Sequence, residues 1–233
     1  MGPRRDPPMR PVGILGGMGP EATILLMQKV MAAVPAHDDT DHVPLIVHQN
    51  PQVPSRIAAL IEGTGVDPGP FLADMARDLA AAGAEALAMP CNTAHHYAPV
   101  IRDATPLPFL DMVDLTAATL KARGARRVGL LASPATRLAR VFEAPFAAHG
   151  LVPVMPEDDG EMLAIIRAVK AGERAETLVP RVTDQAEALL RNGADHLLVA
   201  CTELSLMTDA LPPAPWTDSL DCLTEAVVSF ARG

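Results

Sequence analysis

The sequence predicts an α/β protein made of two pseudo-symmetric, Rossmann-like parallel-sheet domains that face each other across a cleft. Three observations carry this expectation. Short apolar runs alternate with longer stretches of helical periodicity, the pattern of βαβ units. Apolar residues make up 49% of the 233 residues but aromatics only 3%, so the core is built from Ala, Leu, Val, Ile and Met, which suits helices on a sheet better than an aromatic-rich sandwich. Finally, two stretches recur in the same order. "VGILGGMG" (12–19) returns as "VGLLASPA" (128–135), and "GAEALAMPC" (83–91) returns as "GADHLLVAC" (193–201) without a gap.

The elements follow along the chain. The apolar run 11–17 reads as a buried strand, and 21–34 as a helix with Pro20 suited to its first turn. A strand at 43–50 precedes a helix over 70–84 that closes on Gly83, a residue type that ends helices. A strand at 85–90, a helix around 93–104 and a strand at 107–113 complete the first unit. A helix at 114–125 and a strand at 126–133 start the second, and the alternation continues to the end. The Pro-rich stretch 211–218 reads as a connection between units. The expected domains are 11–113 plus 216–233 and 114–215, with 1–10 a disordered tail.

Composition excludes several function classes. The net charge is −9, and no basic stripe of the kind that binds nucleic acid is present. Arg123, Arg126 and Arg127 read as a solvated helix end. No uncharged run approaches the roughly 18–20 residues of a membrane helix. The three widely spaced cysteines, Cys91, Cys201 and Cys222, argue against a disulfide framework and for a reducing, cytoplasmic setting.

The duplicated cysteines point to chemistry. In open α/β sheets ligands bind beyond the carboxyl ends of the strands. Two facing halves would place Cys91 and Cys201 on opposite sides of one cleft. Each follows a strand and precedes an expected helix start, whose partial positive charge lowers a thiol pKa. One thiolate could remove a proton from carbon while the opposite thiol returned one to the other face, which is a two-base racemase or epimerase. Asn92, Thr93 and Thr202 beside them could hold a carboxylate and stabilise charge as the proton leaves.

With "GILGGMGPEAT" (13–23), "NPQVPSR" (50–56), "PCNTAHH" (90–96), "GLLASPATR" (129–137), "IIRAVKAG" (165–172) and "ACTELSLM" (200–207), the chain resembles the aspartate/glutamate racemase family of PLP-independent enzymes. The resemblance implies two domains with a cleft between them, catalytic Cys91 and Cys201, no cofactor, no metal, and a homodimer acting on a small amino-acid substrate. It implies that Asn92, Thr93 and Thr202 bind the α-carboxylate and amino end. It places Arg56 and Lys170 at positions that grip the side-chain carboxylate of aspartate, and Thr136 in the first loop of the second domain. Met18 and Asn50 complete the substrate-binding candidates. Ser55 stands where the family has Asp, and Ser133-Pro134-Ala135-Thr136 where it reads T-x-G-T. Aspartate is the first expected substrate and glutamate the second. The alternatives are a broad-specificity amino-acid racemase, a related isomerase or decarboxylase, and a non-catalytic small-molecule or redox sensor.

Other signals have plainer readings. Residues 17–22 formally match a dinucleotide fingerprint, but the second strand ends in Gln49 and Asn50 rather than an acid, and Glu21 would repel a pyrophosphate. The glycines there let a loop approach the substrate. His95 and His96 read as surface or core histidines, or as electrostatic partners of the thiolate. Glu203 reads as a helix-start acid that caps backbone N–H groups, and Cys222 as a core residue.

Overall fold

β1 (Val12–Gly16) is buried along its whole length and pairs in parallel with a strand on either side. It leads into α1 (Pro20–Ala32), β2 (Leu45–Gln49), α2 (Gly69–Ala81), β3 (Ala86–Ala88), α3 (Ala98–Ala104), β4 (Phe109–Leu110) and α4 (Met112–Ala122). The second half runs β5 (Arg127–Ala132), α5 (Pro134–Leu138), α6 (Glu143–His149), β6 (Val152–Val154), α7 (Asp159–Lys170), α8 (Ala175–Arg191), β7 (His196–Ala200), β8 (Trp216–Asp218) and α9 (Ser219–Arg232). In this computed structural model residues 9–156 and 158–233 are described. The strand orders are β2-β1-β3-β4 and β6-β5-β7-β8, so both sheets are parallel and share one topology.

The repeat in sequence is a repeat in packing. A side chain on Gly13 in β1 would meet Leu79 and Ala84 Cβ and Leu87 Cδ2 at 2.9–3.1 Å, and one on Gly129 in β5 would meet Leu189 and Ala194 Cβ and Leu197 Cδ2 at 3.0–3.1 Å. Each contact in one half is the counterpart, 110 residues on, of a contact in the other. The helix behind each sheet lies so close that only glycine fits. α2 and α8 both end on a glycine with left-handed backbone, Gly83 (φ 98°) and Gly193 (φ 89°). In both, the next alanine N–H returns to a leucine carbonyl of the helix at 3.1 Å.

The last helix of each half packs on the sheet of the other. Leu220, Leu223 and Val227 of α9 sit with Val12 and Ile14 of the first sheet. Val113, Ala117 and Leu120 of α4 sit with Val128, Leu130 and Leu198 of the second. This exchange ties the sheets together. Each fully buried aliphatic side chain is worth roughly 1.5–3 kcal/mol.

Several boundaries differ from expectation. The strand expected at 107–113 is only Phe109–Leu110, because Asp111 accepts hydrogen bonds from the N–H groups of Val113 (2.9 Å) and Asp114 (3.2 Å) and so starts α4 at Met112. The helix expected around 93–104 opens as a 3-10 turn, Thr93–Tyr97, and becomes α3 where Pro99 fits its first turn. The stretch 211–218 is not only a connection. Trp216, Thr217 and Asp218 pair with Leu197, Leu198 and Val199, so these three residues, expected in the first domain, belong to the second sheet, and only α9 crosses back. Of the expected 1–10 tail, residues 1–8 lie outside the described residues. Arg10 is anchored: its N–H reaches the Ala231 carbonyl at 2.9 Å, and its guanidinium bonds Glu85 at 3.0 Å and lies 3.7 Å from the Phe230 ring centroid. Among the described residues no helix is long and apolar enough to cross a membrane.

Candidate active site

β3 and β7 each run out at the same edge of their sheets and deliver a cysteine into the turn that follows. Cys91 and Cys201 are both buried, 8% exposed, and both line one small cavity of about 120 Å³. Of the substrate-binding candidates, Met18, Arg56, Asn92, Thr93, Lys170 and Thr202 share its wall, together with Ser55, Ser133 and Glu203. The two halves supply the wall jointly. The Thr202 hydroxyl reaches the Pro90 carbonyl at 3.5 Å across the divide.

Two expected residues stand outside that wall. Thr136 is buried behind Thr93, with their hydroxyl oxygens 2.8 Å apart, so it braces a lining residue. The Asn50 side chain accepts from Gln52 N–H at 2.9 Å and turns the chain after β2.

Around Cys201 the structure corrects two expectations. The segment after it is a 3-10 turn, Leu204–Ala210, and Glu203 makes no side-chain cap to it. The Glu203 carboxylate instead points back: Oε2 accepts from Cys201 Sγ at 3.0 Å, and Oε1 lies 2.5 Å from Lys170 Nζ. The Cys201 thiol is pushed well up rather than down. Burial is the first cause, and the Glu203 charge and hydrogen bond add to it, against an opposing Lys170. For Glu203 burial disfavours the charge, but Lys170 and the thiol outweigh it and hold the carboxyl below its ordinary value. For Lys170 burial likewise works against the ammonium, and Glu203 more than offsets it. Gly19, in the loop after β1, borders this ion pair: a Cβ there would be in ordinary contact with Lys170 Nζ (3.9 Å) and Glu203 Oε1 (4.0 Å), and its tight neighbour would be Glu21 Oε2 at 3.0 Å.

Cys91 is held differently. Its N–H donates to the Met89 carbonyl at 2.9 Å. His95, buried, bonds the Cys91 carbonyl through Nδ1 at 2.8 Å and accepts from Met112 N–H at Nε2 at 3.1 Å. A backbone N–H can only donate, so Nε2 is the acceptor and Nδ1 carries the proton. Burial lowers the His95 pKa and keeps this neutral tautomer. His95 therefore ties the cysteine turn to the start of α4 and does not touch the sulfur. His96 is exposed.

Asn92 spans the halves: Nδ2 donates to Ser219 Oγ at 2.9 Å, and that hydroxyl donates to the Val199 carbonyl at 3.1 Å. Asn92 lines the cavity, and its Oδ1 is buried without a hydrogen-bond partner. The Arg56 guanidinium is steadied by the Pro54 carbonyl at 2.9 Å and the Val53 carbonyl at 3.3 Å. Several hydroxyls, Arg56 and the Lys170–Glu203 pair around two thiols make a polar cavity sized for a small molecule. Among the described residues no three His, Cys, Asp or Glu side chains converge as a metal site.

Sequence reading did not anticipate Glu203 as the partner of Cys201 and Lys170, nor Ser219. A signal for Glu203 was present. It occupies the position 110 residues after Thr93, so the repeat places an acid where its first copy has a neutral hydroxyl.

Comparison with known proteins then places this arrangement. The family model described as Asp/Glu/Hydantoin racemase matches residues 15–227. The broad specificity amino-acid racemase RacX of Bacillus subtilis is 25% identical over 94% of this chain and 96% of its own length. The aspartate racemase of Picrophilus torridus superposes with a TM-score of 0.83 at 30% identity, covering 95% of this chain and 94% of that one. The glutamate racemase of Francisella tularensis in complex with D-glutamate superposes with a TM-score of 0.67 at 15% identity, over 96% and 81% of the two chains, which shows a shared fold.

Proposed function

The chain belongs to the Asp/Glu/hydantoin racemase family, and from that premise we propose that it interconverts the enantiomers of an amino acid by two-base proton transfer between Cys91 and Cys201, without a cofactor, with aspartate the leading substrate and glutamate the second. The observation that carries this reading is the shared cavity: two thiols from equivalent positions of the two halves, with Lys170 and Arg56 in the same wall. In one direction the Cα–H bond breaks and its proton passes to one sulfur as thiolate. The electron pair left on Cα takes a proton from the opposite thiol. The second sulfur then carries the negative charge, and the configuration is inverted. Asn92, Thr93 and Thr202 bind the α-carboxylate and amino group. Their donors stabilise the charge that spreads into the carboxylate as the proton leaves. Lys170 and Arg56 receive a side-chain carboxylate.

A broader amino-acid range is the second reading. It is favoured by the Lys170–Glu203 ion pair, which already engages one of the two cations offered to an acidic side chain. One experiment decides between them. Both enantiomers of each amino acid are incubated with the protein and no added cofactor, then followed by chiral chromatography and by α-proton exchange in heavy water. Racemisation confined to acidic amino acids supports the first reading, and a wide range supports the second. No racemisation of any amino acid, or unchanged turnover with both cysteines replaced, overturns both.

A further inference from the structure

The two cysteines sit in unlike surroundings, and we propose that this divides their roles: Cys201 enters the reaction as the proton donor and Cys91 as the base, with Glu203, locked by Lys170, positioning the Cys201 proton. The inference rests on the racemase reading above and adds to it an unequal pair. The geometry is specific. Glu203 Oε1 lies 2.5 Å from the Lys170 ammonium, so the carboxylate stays ionised and its other oxygen can only accept. Cys201 Sγ lies 3.0 Å from that oxygen, so the proton of the contact sits on sulfur. Cys91 has no such bond among the described residues. Ser55 lines the same cavity, and the Ser55 hydroxyl accepts from Ala58 N–H at 3.2 Å.

The charged groups acting on Cys201 are Glu203 on its own turn, Lys170 at the end of α7 and the Cys91 sulfur, and Arg56, at the start of the helical turn after β2, lines the same cavity. Glu21, at the start of α1, adds a carboxylate beside Gly19. Burial and Glu203 keep the Cys201 proton in place, and Lys170 does not overcome them. The enantiomer whose Cα–H faces Cys91 therefore meets the protein in its working state. Its proton passes to Cys91, and Cys201 Sγ–H donates to the opposite face and is left as thiolate. The other enantiomer requires the inverse state, reached by moving one proton between the sulfurs through solvent. The equilibrium constant of a racemisation is one, so kcat/KM is equal in both directions. The asymmetry appears in kcat and KM taken separately.

Thiol alkylation tests this without turnover. The full chain is treated with iodoacetamide at pH 7.5, and the three cysteine peptides are followed by mass spectrometry. The thiolate is the species that reacts. Cys91 is expected to label at least about tenfold faster than Cys201, and Glu203→Gln to raise the Cys201 rate about tenfold or more while leaving Cys91 within about twofold. Cys222, buried in α9, reports the fold and stays unlabelled. If Glu203→Gln also exposes Cys222, then Glu203→Asp, with the charge kept on a shorter arm, takes its place with a smaller rise. Equal labelling of Cys91 and Cys201 in the wild type overturns the proposal, as does a folded variant whose Cys201 rate does not move. Racemase activity missing from the amino-acid screen would instead sink the functional reading and leave the labelling order standing.

Discussion

In the first half the turn after β3 grips its cysteine by the backbone: His95 holds the Cys91 carbonyl with one ring nitrogen and the first N–H of α4 with the other. In the second half the turn after β7 grips its cysteine by the side chain: Glu203 holds the Cys201 thiol, and Ser205 stands at the repeat position of His95. The same contrast recurs where α4 and α9 begin. Asp111 caps α4 and pairs with Arg102 at 2.6 Å. Asp218 caps α9 through Oδ1, and its Oδ2 is buried without an ion-pair partner, with the Ser205 side chain easing its charge. The strands, glycines and helix ends of the two halves were kept in register, while the polar residues around each sulfur diverged. A duplicated scaffold supplies two thiols to one cavity, and on the proposal above the substitutions on one side give them separate tasks.

The largest expected effect comes from removing one sulfur at a time. On the racemase reading Cys91→Ala and Cys201→Ala each abolish racemisation, a loss of at least about 10²–10⁴-fold, the usual worth of a positioned acid or base. Each leaves α-proton exchange in one enantiomer only, and the two variants retain opposite ones. Proton NMR in heavy water reads this. Exchange of both enantiomers by either variant would break the comparison.

Lys170→Met comes next. It removes the cation shared by Glu203 and a substrate side chain, and a charged hydrogen bond is worth about 1.5–3 kcal/mol. KM for aspartate should rise about 10–100-fold, with KM for neutral amino acids little changed. An equal rise for both would assign Lys170 to Glu203 alone and favour the broad-range reading. Initial rates across the two substrate classes decide it.

The scaffold was far more legible in the sequence than the site's wiring. The repeats 12–19/128–135 and 83–91/193–201 are local strings, and each position is set by packing against a neighbour within the same half, as at Gly13 and Gly129. Such constraints repeat with the sequence. The expected domain bounds already put the α9 stretch with the first half and the α4 stretch with the second, although an amphipathic stripe alone states that a helix is covered but not by which sheet. Lys170 was reachable only through the family resemblance. It lies 33 residues before Glu203, and α7 brings it there through apolar contacts of Met162, Ile165 and Ile166 that say nothing about its tip. Glu203 was visible but misread, since an acid after a strand is an ordinary helix start and only the third dimension turns it toward a sulfur.

Asp218 sharpens the comparison through pH. Burial is the main cause that pushes its carboxyl up from 3.8 to about 6, with the Leu220 N–H opposing. The folded state therefore binds the proton more tightly than the unfolded chain. The stability this contributes is fully present below about pH 4 and is lost as pH rises to about 6. Asp218→Asn keeps a capping oxygen and removes the charge. Relative to wild type it should gain up to about 3 kcal/mol between pH 4 and pH 7, since one pKa unit is about 1.4 kcal/mol. Urea unfolding at the two pH values measures this, and a difference between variant and wild type that is the same at both would sink it.

The smallest effect tests where the halves agree. Gly13→Ala places a methyl 2.9 Å from Ala84 Cβ and 3.1 Å from Leu79 Cβ, and Gly129→Ala places one 3.1 Å from Ala194 Cβ and 3.0 Å from Leu189 Cβ. Both glycines have ordinary strand backbone, so conformational strain does not enter and the cost is overpacking, about 1–3 kcal/mol each. At each site two of the three clashing atoms are Cβ atoms on a helix or at its end, and unlike the third, a leucine Cδ2, they cannot swing away. Relief requires α2 or α8 to move off its sheet. The two substitutions should therefore lower stability by amounts within about 1 kcal/mol of each other, and the double variant should show their sum, since the sites share no partner. A large difference between them would mean that one half relaxes more readily than the other, and that the asymmetry around the sulfurs extends into the scaffold beneath them.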